Sequence, residues 1–388
     1  MATSFKSFLN NDVTTTRTLL HESIPITGSI VSGTYNQGSS TTETNIKNYS
    51  HGLFQSVYDY PYLSSSANHI FDITVGYSNV SNLSSSTNTQ NADKINIYNQ
   101  MAQLLVGHDH TGSIREFDED GDLSGGDKLR EVFFVNFARL LQKDEIKKGS
   151  FDLQLGVNAA VAFDGGNFTN NNAFSIRDLS GSTGYKVNSP AGEYGILFAT
   201  ASNDLNGATP LLNVAGEGMP CGLIFYQAGV AVISGSVFKD QGDGGIIRNA
   251  SGSVALGNPQ NKVAGKDGAG GGLDFMTGSS ISGSADAIRN RIKSISFNNT
   301  TELNSTVYFA RAGHNEFNYS SNPTYISNDA ATQSQIRVKN SSLDQPVSYI
   351  TTVGLYSADN ELLAVAKVSE PLKKTPDTEL TLRVRLDY

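Results

Sequence analysis

Apolar and polar positions alternate with a period of two along most of this chain, and the clearest run closes it. Leu380, Leu382, Val384 and Leu386 alternate with Thr381, Arg383, Arg385 and Asp387, which turns one face to a core and the other to water. Tyr349, Thr351, Val353 and Leu355 share a face in the same way, Ala358-Asp359-Asn360 supplies turn chemistry, and residues 362–368 form the next run. Residues 349–388 therefore predict a β meander that runs to the last residue.

The same period governs the middle of the chain. Phe151, Leu153, Leu155 and Val157 alternate with Asp152, Gln154 and Gly156, and further strands are expected at 159–163, 194–200, 222–234, 294–297, 306–311 and 335–339. The stretches 194–200 and 222–234 are apolar on both faces, as in strands covered on both sides. Two segments depart from this period. Residues 93–106 place Ile95, Ile97, Met101, Leu104 and Leu105 near helical spacing, with Gly107 closing the run. Residues 128–147 carry Leu129, Val132, Phe133, Val135, Phe137, Leu140 and Leu141, then lysines and Gly149, and predict a second helix with a cationic C-terminal end. The two helices are expected to pack together.

Residues 1–45 read as an extended arm with one or two strands, at Ser23-Ile24-Pro25-Ile26-Thr27 and Ser29-Ile30-Val31-Ser32. Residues 49–77 are dense in aromatic residues, among them Phe54, Tyr58, Tyr60, Tyr62, Phe71 and Tyr77. They predict core, with a packing surface against a partner as the alternative. A glycine- and serine-rich tract spans 235–284 and reads as a long loop ordered on assembly. The expected fold class is mainly β (α+β): β-sandwich or meander domains with an inserted helical pair and long Gly/Ser/Asn-rich loops. Its expected divisions are 1–92, 93–149, 150–284 and 285–388.

At 388 residues the chain is long enough for two or three packed units. A net charge of −9 argues against a broad grip on nucleic acid or an anionic membrane. Charged residues make up 17%, against about 25% in an average soluble domain, and neutral polar residues fill the difference. Cys221 is the single cysteine, so no intramolecular disulfide forms and intracellular assembly is expected. The N-terminal sequence has no signal-peptide run, and the apolar stretch 222–233 is too short to span a bilayer. A soluble protein is expected.

Candidate chemistry is sparse. Asp120, Asp122 and Ser124 fall at the first ligand positions of the calcium-loop template, with Gly125 at the sharp turn and Glu131 at the bidentate position. Asp127 sits where an apolar residue belongs and 112–117 does not read as an entering helix, so a solvated acidic loop capping the next helix is the preferred reading. His108-Asp109-His110 offers two imidazoles without a third ligand and reads as a polar turn. Gly242-Asp243-Gly244-Gly245 and the Gly268-Ala269-Gly270-Gly271-Gly272 run lack the lysine and hydroxyl residue of a phosphate loop. Cys221 follows Pro220 ahead of an apolar strand, and there is no nucleophile elbow. Arg289, Arg291 and Lys293 read as a solvated face or an inter-subunit salt-bridge partner. No residue is assigned a catalytic, cofactor-binding or metal-binding role, and no cofactor is expected.

Several segments carry a family resemblance: Asn45-Ile46-Lys47-Asn48-Tyr49-Ser50-His51-Gly52, Val57-Tyr58-Asp59-Tyr60-Pro61-Tyr62-Leu63, Asn136-Phe137-Ala138-Arg139-Leu140-Leu141, residues 143–149, residues 295–306 and the closing 349–388. On these the chain resembles virion structural proteins of marine T-even-like contractile-tailed phages. Val353-Gly354-Leu355-Tyr356, the turn at Asp359-Asn360-Glu361 and Leu362-Leu363-Ala364-Val365-Ala366 are similar to a hairpin of attachment domains in phage tail fibres and baseplate proteins. The resemblance implies a virion protein of the tail or baseplate, assembled in the host cytoplasm. It would act by homo-oligomerisation and by attachment of other virion structural proteins such as fibres, without enzymatic activity and without nucleic-acid or membrane partners. The alternatives are a capsid decoration or neck protein, or a receptor- or glycan-binding virion protein.

Overall fold

The computed structural model describes residues 6–26, 44–123, 125–156, 173–200, 220–235, 276–277, 280–289, 292–320, 322–327, 335–339, 341 and 343–388. The protein is mainly β. Strands β1 (Val13–Ile26), β2 (Ile46–Asn48), β3 (Gln55–Tyr58) and β4 (His69–Tyr77) precede helix α1 (Asn91–Leu105). A short pair, β5 (Phe117–Asp118) and β6 (Lys128–Leu129), leads into β7 (Glu131–Phe137), the single turn α2 (Arg139–Gln142), β8 (Glu145–Ile146) and β9 (Asp152–Gly156). Then come β10 (Ala173–Arg177), the turn α3 (Gly181–Gly184), β11 (Lys186–Ser189), β12 (Gly192–Thr200), β13 (Pro220–Phe225) and β14 (Val230–Ser234). Helix α4 (Ile281–Arg289) precedes β15 (Ile292–Ala312), β16 (Ile326–Ser327), β17 (Gln335–Ile336), β18 (Ser348–Tyr356), β19 (Leu362–Lys374) and β20 (Leu380–Asp387).

The chain divides into a larger unit, Leu20–Thr301, and a smaller one made of Met1–Leu19 and Glu302–Tyr388. In the larger unit the strands run in the order β15-β9-β10-β12-β13-β14-β7-β4-β3-β2, antiparallel at each of these steps. Strand β7 lies inside this sheet, between β14 and β4. Phe133, Val135 and Phe137 enter one core cluster, while Val132 and Phe134 enter the other. That two-sided burial overturns the helix expected over 128–147. An unbroken apolar run fits a central strand equally well, and only Arg139–Gln142 makes a helical turn before Lys143 takes a φ of 58°.

Helix α1 fulfils the expectation for 93–106 and covers one face with Tyr98, Ala102 and Leu105, beside Phe117 and Leu129 of the short β5–β6 pair. The other face packs on Met276 and on Ile281, Ala285 and Ile288 of α4. The loop expected over 235–284 is thus helix from Ile281 onward. Across the same core Phe137 meets Phe151 at 5.9 Å and Phe297 of β15 at 5.0 Å between ring centroids. The sheet therefore curls so that its β15–β9 end packs over β7 in the manner of a sandwich. Residues 222–234 form two strands, β13 and β14, not one. The strand expected at 159–163 and both glycine-rich runs lie outside the described residues.

The aromatic stretch 49–77 divides as its hydropathy suggests. Phe71 and Tyr77 are buried in the larger unit, Phe54 and Tyr58 are half-buried, and Tyr60 and Tyr62 are exposed.

Helix α1 approaches β4 most closely at Gly76, where an added Cβ would lie 2.8 Å from Lys94 O and 2.9 Å from Tyr98 N. Both are backbone atoms of the helix and cannot rotate away. Gly76→Ala is expected to destabilise the protein by roughly 1–3 kcal/mol through overpacking, read as a lowered midpoint in urea unfolding.

Candidate assembly surface

The smaller unit is built differently. Both clusters of buried apolar residues belong to Leu20–Thr301. In the smaller unit the buried apolar residues among those described are Val307, Ala312, Leu355 and Val384, at 5–8% exposure. Its long pairing is between β15 and β20, register-matched from Ser305↔Asp387 to Ala312↔Leu380, and Asn304 and Tyr388 exchange backbone hydrogen bonds at 3.1 and 2.8 Å. The alternation read from the sequence of β20 holds, with Val384 buried and Arg383 and Arg385 exposed. The expected meander is corrected in its topology, because β20 pairs with β15 and not with β19. The arm from residue 6 to β1 is held by Arg311 to Asp12 at 2.7 Å, Lys6 to Glu316 at 2.5 Å, and the ring of Phe8 against Tyr308.

Strands β18 and β19 form a two-stranded ribbon. A lone hairpin is marginal in water because each strand has one face or edge too many for its partner to cover. Its base is tied down: Lys374, fully buried, donates from Nζ to Asn318 Oδ1 at 2.8 Å, Thr375 O at 2.9 Å and His314 O at 3.2 Å. Ser348 Oγ donates to Phe317 O. Several apolar side chains of the ribbon face water: Tyr349 is 48% exposed, Leu362 52%, Val365 53% and Leu363 67%. Leu363 and Val365, two residues apart on β19, share one face of the ribbon, and exposed apolar side chains grouped in this way mark interaction sites.

The ribbon is also irregular. Ile350 pairs with Leu372 and Thr352 with Lys367, so β19 advances five residues while β18 advances two. Pro371 sits in that bulge, where its missing N–H costs no ladder bond. On β18 the buried side switches: Ser348 and Leu355 are buried while Thr351 and Thr352 are both exposed, with their hydroxyls 3.4 Å apart. This corrects the single face expected for Tyr349, Thr351, Val353 and Leu355.

Most of the residues singled out for chemistry fall within the described residues. Asp118, Asp120 and Asp122 bring carboxylate oxygens within 4.8 Å of one another, and buried Asp118 is paired with Lys128 at 3.0 Å. Glu131, required as the twelfth ligand of the calcium template, lies on β7 and accepts from Ser81 Oγ instead. Ser124 lies outside the described residues. The acidic loop joins β5 to β6 and caps no helix, because β6 follows it.

Asp109 Oδ1 accepts from Thr111 N at 2.8 Å and Ser113 N at 2.9 Å, which makes the His108–His110 stretch a polar turn. Cys221 is buried and donates to Leu197 O at 3.4 Å, and burial pushes its thiol up. Arg289, read as part of a solvated face or as an inter-subunit salt-bridge partner, is fully buried and pairs with Asp286 of the same chain at 2.6 Å. Its partner arises from helical i,i+3 spacing once α4 forms. Arg291 and the side chain of Lys293 lie outside the described residues.

One constellation escaped the sequence. Ser56 Oγ donates to Asp72 Oδ1 at 2.5 Å, and His69 Nε2 lies 2.8 Å from the same oxygen. The carboxylate stands between hydroxyl and imidazole, the reverse of the order that activates a serine. Its members come from β3 and β4, which register pairing brings together. Among the described residues no helix is long and apolar enough to cross a membrane.

Two measurements test these assignments. Lys374→Met removes charge-assisted bonds at the ribbon's base and is expected to lower stability by about 1.5–3 kcal/mol, with faster amide exchange across β18 and β19. Glu119 is raised from 4.5 to about 7, first by burial and then by Asp127, Asp118 and Asp120. Folding therefore takes up a proton between those values, and this group's contribution is full below pH 4.5 and lost as pH rises through 7. Glu119→Gln is expected to raise the unfolding free energy by on the order of 2 kcal/mol at pH 8 while leaving it unchanged at pH 4, as read by urea titration at both pH values. No family model, no curated protein and no solved structure matches this chain.

Proposed function

We propose that this chain is a structural component of a phage particle, at the tail or baseplate, that works by self-association and by holding other virion proteins such as fibres. The observation that carries the assembly reading is the contrast between the two units: the larger holds both apolar cores, and the smaller exposes the apolar ribbon β18–β19. Such a surface is stabilised when a partner removes it from water, at roughly 25 cal/mol per Å². The placement in a phage particle rests on the sequence resemblance. A capsid decoration or neck position uses the same surface chemistry.

A second reading, receptor or glycan binding, is favoured by one observation in the larger unit. Tyr49 and His51 stack with centroids 5.1 Å apart, Phe54 lies 4.8 Å from Tyr49, and Lys47 Nζ sits 4.7 Å above the Tyr49 ring. Aromatic faces with a nearby cation suit polyhydroxylated ligands.

Replacing Tyr349, Leu363 and Val365 together by serine is expected to leave the melting temperature nearly unchanged, since exposed substitutions shift stability by about 0.5 kcal/mol or less each. The same variant is expected to lower the oligomer mass seen by light scattering and the incorporation into particles. A chain that is monomeric at all concentrations and absent from purified particles would sink the assembly reading, and binding on a glycan array would support the second.

A further inference from the structure

Resting on the assembly reading, we infer that the partner seated along β18 is a second copy of this chain, paired antiparallel through the same strand about a two-fold axis between Thr351 and Thr352. The outer edge of β18 has no partner strand among the described residues. Its nine residues, SYITTVGLY, contain neither charge nor proline. Natural sheets protect open edges with charges, prolines or bulges. The neighbouring strands do so: β19 carries Lys367, Glu370, Pro371 and Lys373 with its bulge, and β20 carries Arg383, Arg385 and Asp387. An edge free of charge and proline, while the following strands carry charges, is one that the assembled protein covers.

Charge decides which edge can meet its own copy. A two-fold register of β20 centred on Val384 would set Arg383 against Arg385, and one centred on Arg385 would set that arginine against itself. Like charges directly opposed are destabilising. Strand β18 has no such conflict.

The face switch then fixes the axis. In an uninterrupted strand a two-fold axis normal to the sheet passes through one residue, because neighbours point to opposite faces. Here Thr351 and Thr352 are both exposed with hydroxyls 3.4 Å apart, so the axis falls between them. Thr351 then faces Thr352 of the second copy, Ile350 faces Val353, Tyr349 faces Gly354 and Ser348 faces Leu355. Every pair joins residues of the same face. Each also combines favourably: threonine with threonine, two β-branched residues, and large with small side chains across the joint. Gly354 lies under the exposed ends of Tyr356 and Leu362, which an added Cβ would meet at 3.0 and 3.3 Å, and the Tyr349 ring of the copy covers it.

The test exploits the axis on the full-length chain. Thr351→Lys with Thr352→Lys places lysines of both copies opposite each other, whereas Thr351→Lys with Thr352→Glu places the introduced lysine opposite the introduced glutamate of the second copy. Both positions are exposed, and circular dichroism with thermal melting confirms folding. Sedimentation equilibrium is expected to show the Lys/Lys variant with a dissociation constant raised at least tenfold and the Lys/Glu variant close to the unmodified chain. Equal association of the Lys/Lys variant and the unmodified chain, or matching loss in both variants, overturns the two-fold pairing. In that case incorporation of the chain into particles still upholds the assembly reading. That reading fails instead if the unmodified chain neither associates nor enters particles.

Discussion

The larger unit depends on a strand that is wanted on both sides. Successive residues of β7 point alternately into two apolar cores, so Val132 and Phe134 hold α1 and the β5–β6 pair, while Phe133, Val135 and Phe137 hold α4 and the far end of the curled sheet. Fully burying such side chains stabilises by about 1.5–3 kcal/mol each, and a one-residue slip would exchange the two sets. Register is therefore fixed by both cores at once. The neighbours β14 and β4 inherit that register through Val232↔Phe134 and Thr74↔Phe134, and Gly76 follows as the place where α1 can approach.

The smaller unit has no comparable strand. Its pairing of β15 with β20 satisfies backbone groups, yet among the described residues its buried apolar side chains are Val307, Ala312, Leu355 and Val384, at the margins of burial. Hydrogen bonds add about 1 kcal/mol net apiece, and the ordering of each residue costs a similar amount. On the proposed assembly reading, burial supplied by a partner tips such a balance. This is why the exposed side chains of the ribbon and the uncharged edge of β18 belong to one physical argument and not to two.

Local pattern was legible: the alternation of 380–387 and 152–156, the doubly apolar strand at 194–200, and the helical spacing of 93–106. What failed was period where composition was uniform. Val132 to Val135 is apolar at every position, so strand and helix patterns both fit, and the lysines and Gly149 that resembled a helix end serve β8 and the following turn. Pairing partners were also illegible, because β20 joins a strand some 75 residues earlier and no local signal encodes that. Pro371 was the one visible sign of the β19 bulge. Arg289 misled for a related reason: its charge suggested water, and only formation of α4 reveals Asp286 one turn away.

The acidic loop shows how the constraint on β7 reaches into chemistry. Sequence spacing offers Glu131 to a cation bound by Asp120 and Asp122, but a bidentate ligand must come within about 2.5 Å of the ion. Glu131 is the first residue of β7, its backbone paired to Tyr77 and its carboxylate bonded to Ser81. Bringing it to the loop would unpick the entry of the strand that both cores hold in register. The carboxylate that the fold does deliver is Asp118, carried by β5 and charge-balanced by Lys128 on β6. The loop's electrostatics are thus set by a hairpin ion pair and by mutual repulsion among Asp118, Glu119, Asp120 and Asp127, which is what raises Glu119 once burial has removed its water.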